Sequence, residues 1–116
     1  MKKRGIVFLT VFAGFIFPLL AHPPSQINIQ YDPVTQLMSL DIIHPTQDAE
    51  NHHIKLVEIT LNGKWIIKQE FSVQTESLKH QTAALLVLAK PGDKIDITAV
   101  CNVFGKKEVS YIIPEG

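Results

Sequence analysis

The sequence predicts an all-β fold, a sandwich of about seven antiparallel strands that follows a cleavable N-terminal signal helix. From Ile27 onward, apolar and polar residues alternate with the period of two that is typical of half-buried strands. Turn-forming residues interrupt this alternation at regular intervals, and no later segment shows helical periodicity. Short strands separated by regularly spaced turns are typical of two packed sheets.

Residues 1–21 are predicted to be a secretory signal peptide. A positive start at residues 2–4 precedes an apolar run over residues 5–20, and Ala21 offers a small residue for cleavage. A retained membrane anchor is the alternative, although the apolar run is short of the ~20 residues that a span needs. Cleavage leaves one mature domain, residues 22–116, which we expect to be periplasmic or secreted, with no stable membrane insertion.

Export changes the charge balance and restricts the chemistry of the cysteine. The chain has 11 basic and 11 acidic residues, and removal of the three basic residues of the signal peptide gives the mature domain a net charge of −3. Nucleic-acid binding would require a basic face, so that class of partner is not expected. Cys101 is the only cysteine, so an intramolecular disulfide is excluded, and the thiol is expected to be buried, metal-bound or paired with another chain.

The first half of the mature chain is predicted to contain four strands. Its strongest turn is Asn62-Gly63, because a type I′ hairpin needs positive φ at both central residues. Asp32-Pro33 marks an earlier turn. Around these turns, alternating or enriched apolar residues predict strands at residues 27–31, 38–42, 54–61 and 65–71.

The second half is predicted to contain a polar loop and three strands. The loop covers residues 72–81 and includes His80, for which no role is expected. The next segment, residues 82–89, is continuously apolar and predicts a strand that is buried on both faces. Two further strands, each preceded by a glycine-containing turn, are predicted at residues 95–101 and 108–113.

Three of the five histidines and the only cysteine lie in two short segments. His44-Pro45 leads to the adjacent His52 and His53, and Cys101 begins the sequence Cys-Asn-Val-Phe-Gly. Imidazole and thiolate are the side chains that bind transition metals best, so these residues are candidate ligands. His52 and His53 would point to opposite faces of a strand, so at most one of them is expected to reach a given site.

These residues also have structural interpretations. Cys101 continues the apolar face of the strand that contains Ile95 and Ile97, and a free cysteine often serves as a small buried hydrophobic residue. A single histidine near a strand end is commonly solvated. Hydrolase, nucleotide-binding and dithiol-redox functions have no support, because the sequence has no nucleophile elbow, glycine-rich phosphate loop or Cys-x-x-Cys motif.

His22 would become the first residue of the mature protein if cleavage follows Ala21. Its α-amine and imidazole together can chelate copper, especially beside a second histidine. A disordered terminus is the alternative, as for many first residues. The sequence therefore leaves a copper-binding protein open as one function.

Together the segments resemble the iron domain of desulfoferrodoxins and superoxide reductases. That family shows H-P-x(4)-H-[HY]-I and, near the C terminus, C-N-x-H-G, and an earlier histidine followed by proline precedes the first strand, as His22-Pro23 does here. The resemblance covers essentially the whole mature chain. It implies an immunoglobulin-like sandwich of seven strands that binds non-haem iron and reduces superoxide to peroxide by one electron, with a redox partner protein as donor.

The resemblance also implies a ligand set, with three departures. In the family, four histidines bind the iron in a plane and a cysteine thiolate binds it axially; by position the ligands here are His22, His44, His52 and Cys101. Phe104 stands where the fourth histidine belongs, and phenylalanine cannot bind iron. The spacing from His44 to His52 is two residues longer than usual, and Ala21 replaces an expected lysine. Superoxide reductase activity is therefore expected to be altered or lost.

A second resemblance predicts a function without chemistry. The Z subunit of the thiosulfate-oxidising carrier complex is also a small sandwich, and it acts as a binding partner. Under this alternative the protein would join a carrier complex or an oligomer. The segments that loosely fit its pattern are His44-Pro45, His52 or His53 with Ile54, Asn62-Gly63-Lys64 and Gly92-Asp93-Lys94-Ile95.

Overall fold

The computed structural model describes residues 22–115, which form seven antiparallel strands in two sheets and contain no helix. The predicted signal peptide lies outside the described residues, and within them no helix is long and apolar enough to cross a membrane. The strand order is β1-β2-β5 in the first sheet and β4-β3-β6-β7 in the second. The strands are β1 (Gln26–Asp32), β2 (Leu37–Ile43), β3 (Ile54–Leu61), β4 (Lys64–Glu70), β5 (Lys79–Leu85), β6 (Lys94–Cys101) and β7 (Lys106–Ile112).

The core lies between the sheets because alternate residues of the central strands point inward. This confirms the all-β prediction and the predicted faces, since a strand places successive side chains on opposite sides. The buried residues that β2, β3 and β6 contribute are Met38, Leu40, Ile42, Ile54, Val57, Ile59, Ile95, Ile97, Ala99 and Cys101.

The hairpin between β3 and β4 forms at the predicted turn. Asn62 and Gly63 adopt φ angles of 50° and 88°, the left-handed backbone that a type I′ turn requires. Asn62 also bonds across to the start of β6, because its Oδ1 accepts the backbone N–H of Lys94 at 2.9 Å. The turn therefore ties three strands of the second sheet together at one end.

The predicted strand at residues 82–89, buried on both faces, is wrong in position and burial. The strand in this region is β5, which begins at Lys79 and ends at Leu85. Among the described residues β5 is an edge strand that pairs only with β2, and alternate side chains along it are exposed. Val87 and Leu88 beyond its end are about two-thirds exposed, at 67% and 66%. A continuous apolar run therefore did not mark a central strand here.

The predicted loop at residues 72–81 is correspondingly too long. Its last residues belong to β5, where His80 pairs in register with Ile42 of β2. Alternation along β5 turns His80 inward, and only 1% of it is exposed. The histidine for which no role was expected is therefore a buried core residue.

Four chain segments meet at one end of the sandwich: the N-terminal segment, the connection from β2 to β3, the loop after β4 and the loop after β6. The N-terminal segment joins the end of β2 through Ser25 N–H, which donates to Ile43 O, and the loop after β4 joins it through His44 N–H, which donates to Leu78 O. The loop after β6 meets the start of β3 through Asn102 N–H, which donates to His53 O. The candidate ligands lie at this end.

Candidate metal centre

Three of the four predicted ligands lie together where the two sheets end. His44 directly follows β2, His52 precedes β3, and Cys101 is the last residue of β6. Ile54 of β3 pairs with Cys101 in the β3–β6 register, which brings the start of one strand to the end of the other. The ligand atoms of His44, His52 and Cys101 lie within 4.8 Å of one another.

The ring of His22 lies against the two other imidazoles. Its centroid is 5.2 Å from that of His44 and 5.6 Å from that of His52, and these two rings are 4.8 Å apart. The backbone of the N-terminal segment also contributes, because His22 O lies 3.3 Å from His44 Nε2. The structure therefore places the half-buried His22 ring beside the cluster, but its ligand atoms are not among those that lie within 4.8 Å of one another.

Cys101 presents a buried, hydrogen-bonded sulfur to this cluster. Its backbone N–H donates to Gly105 O at 3.0 Å, which closes the loop after β6. The backbone N–H of Val103 then points back to Cys101 Sγ at 3.3 Å. The backbone of the loop after β6 therefore holds the sulfur at the cluster.

Phe104 contributes no ligand to the cluster. It lies in the loop after β6 and is 59% exposed. His53, the other histidine beside His52, is buried and is not one of the three residues whose ligand atoms lie together. Within residues 22–115 the ligand atoms that lie together are thus those of two imidazoles and one cysteine sulfur, with the His22 ring beside them.

Asn102 joins the two sequence segments that carry the ligands. Its Oδ1 accepts the backbone N–H of His53 at 2.8 Å, and its Nδ2 donates to Asn51 O at 3.0 Å. In the sequence this residue is only one position of the Cys-Asn-Val-Phe-Gly motif. In the structure it holds the loop that contains Cys101 against the segment that contains His52.

Gln74 is a residue of the site that the sequence did not indicate. It lies in the predicted polar loop, yet only 3% of it is exposed. Its amide contacts the ring and the backbone of His44, at 2.8 Å and 2.7 Å, and also accepts the backbone N–H of Ile54 at 3.2 Å. A buried glutamine among polar residues has no periodic signal, so sequence reasoning could not find it.

The electrostatics of the cluster favour neutral imidazoles. Burial lowers the pKa of His44, although its hydrogen bond with Gln74 opposes this shift. Burial also lowers the pKa of His52, and the neighbouring His44 and His22 lower it further. A neutral imidazole keeps the lone pair that a metal ion needs.

The geometry and the donors fit a transition-metal ion. Two ligands on opposite sides of a metal, with bonds of about 2.0–2.3 Å, lie roughly 4–4.6 Å apart, so donors within 4.8 Å need little movement. His52 Nε2 is buried and has no hydrogen-bond partner among residues 22–115, as expected for a nitrogen that binds a metal. Imidazole with thiolate suits iron, copper or zinc better than magnesium or calcium.

A cleft of about 410 Å³ gives access to the cluster from solvent. His22 and His52 lie at its wall, beside residues of the loop between β2 and β3. Asp48 also lines the cleft, but its carboxylate accepts the side-chain amide N–H and the backbone N–H of Asn51 and the backbone N–H of Glu50, which lower its pKa. Small ligands can therefore reach the imidazoles without crossing the core.

The chemical interpretation of this cluster depends on the residue pattern and its geometry. The sequence matches no protein-family model and no curated protein. The resemblance to superoxide reductases and the resemblance to the carrier subunit therefore stay predictions. The structural basis for a metal-binding function is the position of His44, His52 and Cys101.

Proposed function

We propose that the protein is an exported non-haem-iron protein of the superoxide-reductase type, built on an immunoglobulin-like sandwich. His22, His44, His52 and Cys101 would hold the iron. The observation that carries the proposal is the convergence of three of these ligands within 4.8 Å, although they come from distant parts of the chain. His44 and Cys101 are buried at this end of the sandwich and His52 is partly buried, and the sequence pattern of residues 1–21 supports the exported location.

Iron bound by these ligands would supply the transfer of one electron to superoxide, which also takes up two protons and becomes hydrogen peroxide. The electron comes from a redox partner protein. The chain itself provides a cysteine sulfur that accepts the Val103 N–H, and imidazoles at His44 and His52 whose lowered pKa values favour the neutral form. Thr46 and Ser77 line the cleft, and their hydroxyl groups can donate hydrogen bonds to a small oxygen anion that enters it.

The replacement of one histidine by Phe104 is part of the proposal. With three imidazoles and one cysteine sulfur to hold it, a bound iron would have one protein ligand fewer than in the family pattern, so solvent or substrate would have more access to it. Ligand number controls the potential of the metal and its access to water. We therefore expect superoxide reduction that differs in rate or potential from that of the family, or a bound iron without this activity.

The visible spectrum of the iron-loaded protein tests the proposal. The mature protein, loaded with Fe²⁺ without oxygen and then oxidised, should show a thiolate-to-iron charge-transfer band. Cys101→Ser should abolish the band because it removes the sulfur donor. His52→Gln should weaken iron binding, whereas His53→Gln is the matched control and should retain the band, since His53 is not part of the cluster.

A protein that purifies without metal and gains no band after iron loading contradicts the proposal. In that case a stable complex with another exported chain, detected by pull-down, would support the carrier-subunit alternative instead.

Copper is the second candidate metal, because the ring of His22 lies beside two further imidazoles. Copper binding through the new N terminus would use the α-amine of His22. One extra residue before His22 should eliminate that mode of binding, whereas iron binding through the imidazole should survive the extension. Titration of both proteins with Cu²⁺ and with Fe²⁺ separates the two metals.

A further inference from the structure

We propose that Gln74 is a positioning residue that holds His44 in the tautomer with the proton on Nδ1, so that the lone pair of Nε2 faces the cluster. The assignment of the tautomer depends only on hydrogen bonds in the protein. Its importance for a metal rests on the proposed function. Both residues are buried, with exposed fractions of 3% for Gln74 and 0% for His44, so water does not compete for these bonds.

The neighbours of Gln74 determine which way its amide points. Nε2 lies 2.7 Å from His44 O and 2.9 Å from Glu76 O. A backbone carbonyl oxygen can only accept, so the amide NH₂ group must be on this side. Both of its protons are used, and Oε1 is therefore on the opposite side.

The position of Oε1 then determines the proton on His44. Oε1 lies 2.8 Å from His44 Nδ1 and 3.2 Å from the backbone nitrogen of Ile54. This oxygen can only accept, so His44 Nδ1 must carry a proton and donate it. A neutral imidazole has one ring proton, so Nε2 of His44 is left with a lone pair.

In this tautomer the lone pair of His44 Nε2 faces other electron-rich atoms, an arrangement that a cation would stabilise. His22 O lies 3.3 Å from His44 Nε2, so in this tautomer two acceptors face each other. His52 Nε2, in the same cluster, is buried without a hydrogen-bond partner among the described residues. A metal ion near these atoms would be attracted by all of them, whereas the opposite tautomer of His44 would point a proton at the metal position.

Gln74 also has a purely structural role, which is distinct from the positioning of His44. Its backbone N–H donates to Ala49 O at 3.0 Å, and its amide links the loop after β4 to the start of β3. Loss of these bonds would lower stability whether or not His44 binds a metal. A measurement of stability alone therefore does not test the proposal.

The direct test is the position of the ring proton in the metal-free wild-type protein. The ¹⁵N chemical shifts and couplings of the His44 ring, measured at about pH 8, above the ordinary imidazole pKa, identify the protonated nitrogen. We expect Nδ1 to be protonated. A proton on Nε2 of His44 overturns the proposal, and it does so even if the protein binds iron.

Two substitutions separate positioning from stability. Gln74→Glu keeps an oxygen that accepts from His44 Nδ1, but it loses the pair of donors. Gln74→Met removes the oxygen acceptor as well as the N–H donors. Both variants should be less stable than wild type, but only Gln74→Met should lose the tautomer preference and bind Fe²⁺ roughly 10- to 100-fold more weakly. Equal losses of iron affinity in the two variants, or none in Gln74→Met, would contradict the positioning role.

Gln69 offers a matched control for the glutamine substitution. It also bonds through both amide atoms, since Nε2 donates to Ala83 O and Oε1 accepts from the Thr82 hydroxyl, but it lies on β4 away from the cluster. Gln69→Met should leave the His44 tautomer and the Fe²⁺ affinity unchanged. A wild-type protein that takes up no iron would refute the proposed function, whereas the ring spectra would still decide the tautomer.

Discussion

His80 is the histidine whose titration the fold perturbs most. It lies inside the sandwich on β5, its ring packs edge-on against Phe71 at 4.2 Å, and its Nδ1 accepts the backbone N–H of Thr75. Its Nε2 is buried without a hydrogen-bond partner within residues 22–115. Burial, with a smaller effect from His53, lowers its pKa from 6.5 to about 4.

This shift predicts that stability depends on pH below neutrality. Between pH 6.5 and about pH 4 the unfolded chain binds a proton at His80 that the folded protein does not, so the free energy of unfolding decreases as the pH falls. The full contribution is about 3 kcal/mol. Urea unfolding of the metal-free protein at several pH values should show this loss, and His80→Gln should reduce it.

Comparison of the wild type with His80→Gln decides whether the pH dependence of stability comes from His80. Gln at position 80 can still accept the Thr75 N–H but has no ring to protonate. If His80→Gln loses as much stability as the wild type over this pH range, the pH dependence must come from another group.

Gly105 shows how the sequence segments of the site are held together at the scale of elements. It adopts a φ of +81°, and a Cβ added there would lie 2.6 Å from Pro23 Cβ and 3.3 Å from Pro23 Cα. The turn between β6 and β7 thus lies directly against the N-terminal segment. This contact keeps His22, one residue earlier, beside the other imidazoles.

Gly105→Ala should therefore damage the site as well as the turn. The positive φ alone costs an alanine about 1–2 kcal/mol. The clash with Pro23 adds to this cost and should displace the N-terminal segment, which weakens iron binding. Chemical unfolding and Fe²⁺ titration measure the two effects.

Gly92→Ala is the control for backbone strain. Gly92 has a φ of +90°, but an added Cβ would meet nothing within 4 Å. The Gly92→Ala variant should lose about as much stability from backbone strain as Gly105→Ala does, while its iron affinity stays at the wild-type value. Equal iron affinities in the two alanine variants would show that the packing of Pro23 does not position His22.

Two asparagines hold the central pair of strands at its two ends. Asn102 bonds both ways to His53 at the ligand end, and Asn62 bonds both ways to Lys94 at the opposite end. In each case the side-chain oxygen and the backbone N–H replace the next step of the β3–β6 ladder. The β3–β6 pairing is therefore extended beyond the last paired residues at the ligand end as well as at the opposite end.

At the scale of the whole molecule, the cluster links the two sheets. His44 directly follows β2 of the first sheet, whereas His52 precedes β3 and Cys101 ends β6 in the second sheet, and His22 lies in the N-terminal segment. A metal ion held by these residues would cross-link parts of the chain that pack otherwise through the apolar core. Binding and global stability should therefore be coupled.

Fe²⁺ should consequently raise the melting temperature of the mature protein. Free metal at about 100 times its Kd adds about 2.7 kcal/mol to the free energy of unfolding. For a domain of this size that corresponds to an increase of about 10 °C or more. Anaerobic thermal unfolding with and without iron measures the shift, and Cys101→Ser should reduce it; a wild-type protein whose melting temperature does not respond to Fe²⁺ would argue against a bound ion.

The sequence alone determined the strand content, the main turns and the residues of the cluster. Strand alternation is a local property, so β1–β4 and β6 could be predicted, and Asn62-Gly63 could be assigned because positive φ is a property of those residues. His44, His52 and Cys101 were found through the motif around them. The metal and the activity they imply stay predictions.

Only the tertiary structure decided the position of β5 and the surroundings of the ligands. Whether a polar or apolar stretch forms a strand at a sheet edge depends on its partner, and β2 pairs with residues from Lys79 onward. Gln74 becomes important because folding brings it beneath His44, and the sequence around it has no pattern that indicates this contact. Local sequence specifies backbone preference, but long-range packing decides which polar groups become buried partners.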